Sequence, residues 1–367
     1  MCGVRSCASE LDDWNKENRK FTVERHRGGV QISNSMKAFA AARLRDEEFD
    51  PSFLSQLGEV CMTRGVFQLT DAQVLFGPGR TCPAEALEAM AALFSLPVDE
   101  KRRFQRLPGR TAMGWSNSEL TKQRVDLKEV WDIAWVPDPS RRLDHSSNVS
   151  PIDGCNLLPD GAVRNTLLNY YKTAKESVCD PLYRALCAAF DLSFDAVQAA
   201  THPMGENSKS VGFMRLNHYA KHAGDEGMNI HEHTDAGLFT VLWASDVRGL
   251  QYQDRQGGWE RTVQADDGTL TLTINLGDMF QVLTNDAASA PVHRVVCERD
   301  WPLPRYSIAL FFNPSETAVI SPMTKQVSEG RERSLYRDIA WAKFRRRRFE
   351  GDAADLGVEV QISDWRL

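Results

Sequence analysis

The stretch Asn229-Ile-His-Glu-His-Thr-Asp235 decides how this chain is read. In an extended strand successive side chains point to opposite faces, so residues two apart share one face. His233 and Asp235 form such a pair, and an imidazole beside a carboxylate is most of a chelate for a divalent ion. Two ligands leave the ion under-coordinated, so a third is expected elsewhere. Farther along, Pro291-Val-His-Arg-Val-Val296 carries a lone histidine, His293, inside a β-branched run. Beyond it, Arg305-Tyr-Ser307 is again a pair two apart, and a guanidinium with a hydroxyl suits the grip of one carboxylate.

Two histidines and one carboxylate on one face of a metal, with the other face open, is the arrangement of non-haem Fe(II) oxygenases. His233-Thr-Asp235, His293 and Arg305-x-Ser307 together resemble the signature of the Fe(II)/2-oxoglutarate-dependent oxygenases, in the isopenicillin N synthase-like branch. Gly249-Leu-Gln251, Trp259, Asn275-Leu-Gly-Asp278, Thr284-Asn285, His293-Arg-Val295 and Asn313-Pro314 resemble the same family. The similarity covers about residues 20 to 365 and is strongest between 211 and 314. It implies a double-stranded β-helix (jelly roll) braced by helices, an iron site at His233, Asp235 and His293, and 2-oxoglutarate and O₂ as cosubstrates. Arg305 and Ser307 would take the 5-carboxylate of 2-oxoglutarate, and Asn217 and Tyr219 match family positions beside it.

The rest of the sequence frames this reading. The chain has 367 residues, 42% of them hydrophobic and 26% charged, ample for a buried core. A net charge of -6 gives no general attraction to nucleic acid. No apolar run approaches the ~20 residues of a membrane span. The N-terminus has no apolar signal core, so a cytoplasmic, monomeric enzyme with a small-molecule substrate is expected. None of the eight cysteines forms a C-x-x-C pair, which argues for reduced thiols and against a cysteine zinc site.

Along the chain, residues 1–20 read as a loose tail and 21–367 as one domain. Residues 21–209 are mostly helical, 210–320 hold the β-barrel core with the metal site, and 321–367 hold a C-terminal helix and tail. Helical text is expected at 35–45, 53–62, 84–93, 165–192 and 334–349, with a short strand at 66–69. From Ser210 the texture turns to short β-rich segments, which argues for an antiparallel sandwich or barrel. The expected strands are 211–219, 238–246, 248–254, 269–275, 278–284, 290–297 and 305–312. The run Arg345-Arg-Arg-Arg348 reads as a solvated helix end.

Strand parity extends the site. If Arg305 and Ser307 point into the barrel, then Ala309, Phe311 and Asn313 do too, and the same holds for Phe213, Arg215, Asn217 and Tyr219. Phe311 is expected as an apolar wall of the substrate pocket, and Ala112-Met-Gly-Trp115 resembles a family segment that borders the active-site mouth, which implies Trp115 there. His231 is expected beside the metal or at the mouth. Arg215 would be an inward cation, either neutralised by an internal carboxylate or anchoring a substrate carboxylate, such as an amino-acid-derived acid of specialised metabolism. The glycine-containing loop from Lys221 to Gly227 is long enough to close over a substrate. Hydroxylation, desaturation and oxidative ring closure all fit such a site. The alternatives are an oxidase of the isopenicillin N synthase or aminocyclopropanecarboxylate oxidase type, which does not consume 2-oxoglutarate, and a catalytically idle metal-binding barrel.

Overall fold

The computed structural model describes residues 36–106, 112–121, 124–135, 156–203, 212–220, 227–245, 249–262, 269–297, 304–352 and 360–367. The expected tail at 1–20 and most of the expected closing loop from Lys221 to Gly227 lie outside them.

In chain order the first strands are β1 (Ala38–Ala40), β2 (Val66–Thr70), β3 (Gly114–Ser116), β4 (Leu120–Thr121), β5 (Arg124–Val125) and β6 (Glu129–Ala134). The core strands follow: β7 (Gly212–Tyr219), β8 (Gly227–His233), β9 (Phe239–Ala244), β10 (Leu250–Gln253), β11 (Trp259–Arg261), β12 (Leu272–Leu276), β13 (His293–Cys297) and β14 (Arg305–Phe312). Eight of them form one sheet in the order β1-β2-β12-β9-β14-β7-β6-β3, and four form another in the order β11-β10-β13-β8. Only the β1–β2 edge of the larger sheet is parallel; the site-bearing strands pair antiparallel. A cavity opens between the two sheets, lined by β7, β9, β12 and β14 on one side and by β8, β10 and β13 on the other. This is a jelly roll, with helices on the outside of the larger sheet.

Those helices are α1 (Pro51–Thr63), α2 (Pro83–Phe94), α3 (Ala162–Ala174) and α4 (Asp180–Ala189). Asp50 caps α1 by accepting from the amides of Ser52 and Phe53, with Pro51 in the first turn. The helices share one apolar core with the sheet: Tyr183 of α4 packs on Phe312 at 5.2 Å, and Phe76 stacks on Tyr170 at 5.9 Å. The long helix expected over 165–192 is interrupted by a π turn at Lys175–Cys179. Pro181 lies just beyond it; a proline has no N–H to give the ladder and crowds the preceding turn, which a locally wider helix relieves.

Three other expectations change. Residues 278–284 are not a strand: α5 (Asp278–Leu283) is a one-and-a-half-turn helix following β12. It is buried almost all round, so its apolar residues carry no period to separate helix from strand. Residues 35–45 split into β1 and a 3-10 turn at Ala41–Arg45. The last helix, α6 (Trp341–Asp352), begins several residues later than expected.

Candidate active site

His233 is the last residue of β8 and His293 the first of β13, and the ladder pairs them directly. Asp235 sits two residues past the end of β8, so the strand-face argument reaches His233 but not the carboxylate, which a turn delivers. The three groups converge: each offers a ligand atom, all within 4.8 Å of one another. Asp235 Oδ1 is 3.7 Å from Nε2 of both histidines.

The atoms pointing away from this centre are already used. His233 Nδ1 donates to the His231 carbonyl at 2.8 Å, and His293 Nδ1 to the Pro291 carbonyl at 3.2 Å, leaving both Nε2 atoms to face inward. Asp235 Oδ2 accepts from Thr240 Oγ1 at 2.5 Å and Asn275 Nδ2 at 2.8 Å, leaving Oδ1. Burial, reinforced by the neighbouring His293, pushes His233 down to about 3, so its ring is neutral at neutral pH. Burial works to raise Asp235, but His293, His233 and the two hydrogen bonds outweigh it and hold the carboxyl low. Neutral imidazoles and an ionised carboxylate are what a divalent metal requires. The donor set therefore fits Fe(II).

The cosubstrate end fits as well. Arg305 and Ser307 of β14 are buried and pair across the ladder with Tyr219 and Asn217 of β7. The Arg305 guanidinium lies over the Tyr219 ring at 4.7 Å, and Asn217 Nδ2 reaches Ser307 Oγ at 3.3 Å. Oδ1 of Asn217 is buried with no partner among the described residues, so this end of the cavity has polar capacity that those residues alone do not meet. A fixed guanidinium and a hydroxyl beside it suit a carboxylate. The cavity, about 220 Å³, runs from these residues past His233, Asp235 and His293 to Phe213, Phe311 and Trp341. Every residue of the two parity series, Phe213 to Tyr219 and Arg305 to Asn313, lines it at alternate positions. Phe311 stacks on Phe213 at 4.6 Å.

At the substrate end Trp115 is corrected, Arg215 takes the internal-carboxylate alternative, and His231 serves from behind the site rather than at its mouth. Arg215 lines the cavity but is committed to protein carboxylates: Nε and Nη2 bind Asp132 at 2.8 Å, and Nη1 binds Glu119 at 2.6 Å. Arg106 closes the same network on both carboxylates, and Lys128 adds to Glu119 and Asp126. The motive for a substrate anion at Arg215 disappears, because its charge is already balanced. Trp115 is not a mouth residue. It is buried, donates from Nε1 to Glu129 at 2.9 Å, and does not line the cavity. His231 does not line it either: its ring and amide face Asp126, and only its carbonyl serves the site, by holding His233.

Sequence reasoning missed Thr240, Tyr252 and the role of Asn275. Tyr252 lies 5.3 Å from the His293 ring and donates to Asn275. Asn275-Leu-Gly-Asp278 was visible as a motif, but nothing in it announced that Asn275 holds the Asp235 carboxylate.

The chain also resembles known proteins over most of its length. Residues 210–314 match the model of the 2OG-Fe(II) oxygenase superfamily, and residues 38–161 match the N-terminal region described as non-haem dioxygenase in morphine synthesis. Gibberellin 2-beta-dioxygenase 1 of Arabidopsis thaliana is 24% identical over 329 residues, covering 83% of this chain and 88% of that protein. The 2-oxoglutarate-Fe(II) type oxidoreductase hxnY of Emericella nidulans is 27% identical over 285 residues, covering 73% and 76%. The crystal structure of the dioxygenase for auxin oxidation in rice superposes with a TM-score of 0.64 at 22% identity, covering 91% of this chain and 100% of that one, a likeness of fold. Family models over both the N-terminal region and the barrel agree with a His-Asp-His centre that would hold iron and leave room for a dicarboxylate. The chain belongs to the 2OG-Fe(II) oxygenase superfamily and is an Fe(II)/2-oxoglutarate-dependent dioxygenase.

Proposed function

We propose that this enzyme oxidises a small, largely apolar metabolite, held between the metal and the Phe213–Phe311 stack. His233, Asp235 and His293 are read as the iron ligands, Arg305 and Ser307 as the grip on the 5-carboxylate of 2-oxoglutarate, and Asn217 and Tyr219 as the walls beside it. When bound, iron and 2-oxoglutarate supply O₂ activation coupled to release of succinate and CO₂. The protein's part is ligation, orientation and exclusion of water. Arg305, buried on the Tyr219 ring, would hold the far carboxylate of the cosubstrate and so orient it within the cavity.

The observation that carries this reading is one continuous cavity with the His-Asp-His cluster between a cationic end and an aromatic end. The aromatic end supports an apolar portion in the substrate. The ionic network beside it is balanced in formal charge, with Arg106, Lys128 and Arg215 against Glu119, Asp126 and Asp132, while Arg345 lines the same end over the Phe213 ring. That balance supports a substrate recognised by shape and hydrogen bonds rather than by an anion at Arg215. We keep the expectation of a monomeric, cytoplasmic enzyme without nucleic-acid or membrane partners. No helix among the described residues is long and apolar enough to cross a membrane.

The test is succinate formation by the Fe(II)-loaded protein, with 2-oxoglutarate and a panel of small apolar metabolites in neutral and carboxylate forms. Stimulation by members with an apolar ring or chain, weakened in Phe311→Ala, is expected. Stimulation confined to small polar acids and unaffected by Phe311→Ala would contradict it.

A further inference from the structure

The turn that carries Asp235 away from β8 pairs with no strand among the described residues, yet a metal ligand there must sit within about 0.2 Å of its proper distance. Arg348 of α6 reaches it. Its Nη2 donates to the Thr234 carbonyl at 2.7 Å and to Thr234 Oγ1 at 3.3 Å, and Thr234 is the residue between the two ligands. Its Nη1 pairs with Asp278 Oδ2 at 3.2 Å and donates to the Val360 carbonyl at 3.1 Å. The Asp278 amide in turn donates to the Asp235 carbonyl at 2.8 Å. The ring closes: Thr234 carbonyl, Arg348, Asp278, Asp235 carbonyl. Arg348 is 6% exposed and Asp278 1%, so the pair acts where water competes little. Gly277 shows how close the packing is, since a Cβ there would collide with the Gly237 carbonyl oxygen and meet the Asp235 carbonyl oxygen at 3.0 Å.

We propose that Arg348 is a positioning residue for the metal: with Asp278 it locks the Thr234–Asp235 turn and makes metal affinity depend on the C-terminal helix and the segment at Val360. The proposal rests on the reading of His233 and Asp235 as ligands. It separates Arg348 from Arg346 and Arg347 of the same basic run, which are exposed. A fork with several donors can hold a carbonyl and a carboxylate at once, whereas a lysine ammonium is a single point on a flexible stem. Arg348→Lys therefore keeps a cation opposite Asp278 and loses the grip on the turn.

The experiment is anaerobic titration of the full chain with Co(II), read by equilibrium dialysis and by the visible spectrum of the bound ion, alongside the unfolding midpoint of the metal-free protein. Wild type and an Arg347→Gln control should bind alike. Arg348→Lys should bind about ten- to a hundredfold more weakly, with an altered Co(II) spectrum and a metal-free unfolding midpoint close to wild type. Wild-type affinity and spectrum in folded Arg348→Lys would overturn the proposal. If Arg348→Lys does not fold, the double variant Arg348→Gln/Asp278→Asn decides on the same readings, because it removes both charges and leaves neither buried alone. A wild-type chain that binds no Co(II), or binds it unchanged in Asp235→Ala, would refute the ligand reading itself and the proposal with it.

Discussion

His233 and His293 stand directly opposite each other across the antiparallel pair β8–β13, their ring centroids 4.3 Å apart. Each ring is turned by a carbonyl two residues earlier in the chain, His231 for one and Pro291 for the other. The proposed metal site is thus a property of the strand register, and a slip of one residue would send one imidazole to the opposite face. Replacing His233, Asp235 or His293 by alanine should leave the jelly roll folded and lower turnover and metal affinity more than about a hundredfold, since ligand loss exceeds the ten- to hundredfold of losing a ligand's supporting partner. Circular dichroism and metal titration check both halves; full activity in any of the three would remove the assignment.

Arg305→Gln should raise the 2-oxoglutarate concentration needed for half-maximal rate about ten- to a hundredfold, the equivalent of roughly 1.5–3 kcal/mol for a charge-assisted contact. The variant keeps a hydrogen-bonding group but loses the charge. A steady-state titration decides the matter, and an unchanged requirement would favour an oxidase that does not consume 2-oxoglutarate.

Arg215→Leu should act on stability before it acts on substrate. Burial would raise Glu119, but Arg215, Arg106 and Lys128 overcome it and hold the carboxyl far below its ordinary value. A carboxylate held low contributes stability that is present above its unfolded pKa and is lost as pH falls. Removing Arg215 should cost roughly 3–5 kcal/mol near neutral pH, the usual penalty for breaking a buried pair. The cost should shrink in acid, where the stranded carboxylates protonate. Urea unfolding at neutral and mildly acid pH measures this; an unchanged unfolding midpoint with a raised substrate KM would restore Arg215 as an anchor.

His202 gives a separate pH signature. Burial, helped by Lys175, lowers it from 6.5 to about 4 despite its hydrogen bond to the Asn313 carbonyl. The folded chain therefore binds this proton less readily than the unfolded one. The stabilising contribution is whole above pH 6.5 and is lost as pH falls towards about 4. His202→Gln should flatten the fall in unfolding free energy across that window by roughly 1–3 kcal/mol. Parallel profiles for variant and wild type would contradict the assignment.

Much of the site was legible because strand parity is strict: once Arg305 and Ser307 face inward, Phe311 and Asn313 must follow, and they line the cavity. What stayed hidden depended on long-range register and burial. Nothing near Arg215 in sequence reveals that Glu119 and Asp132 would neutralise it, because β6 pairs with β7 only in the folded sheet. Trp115 looked like a mouth residue by family position, yet it lies inside, against Lys101 and Glu129. Arg348 looked like one charge in a solvated run, since helical phase alone does not say which of four arginines meets a carboxylate from another element. The α5 helix was missed for a plainer reason: a short segment buried on all sides carries no periodicity.

The central claim is tested most directly by O₂-dependent conversion of 2-oxoglutarate to succinate by the purified chain. Wild type loaded with Fe(II) should form succinate in the presence of O₂, faster with an accepted substrate. Asp235→Ala should form none above the rate of free iron. Succinate formation that is equal in wild type and Asp235→Ala, or absent from iron-loaded wild type across the substrate panel, would contradict the account.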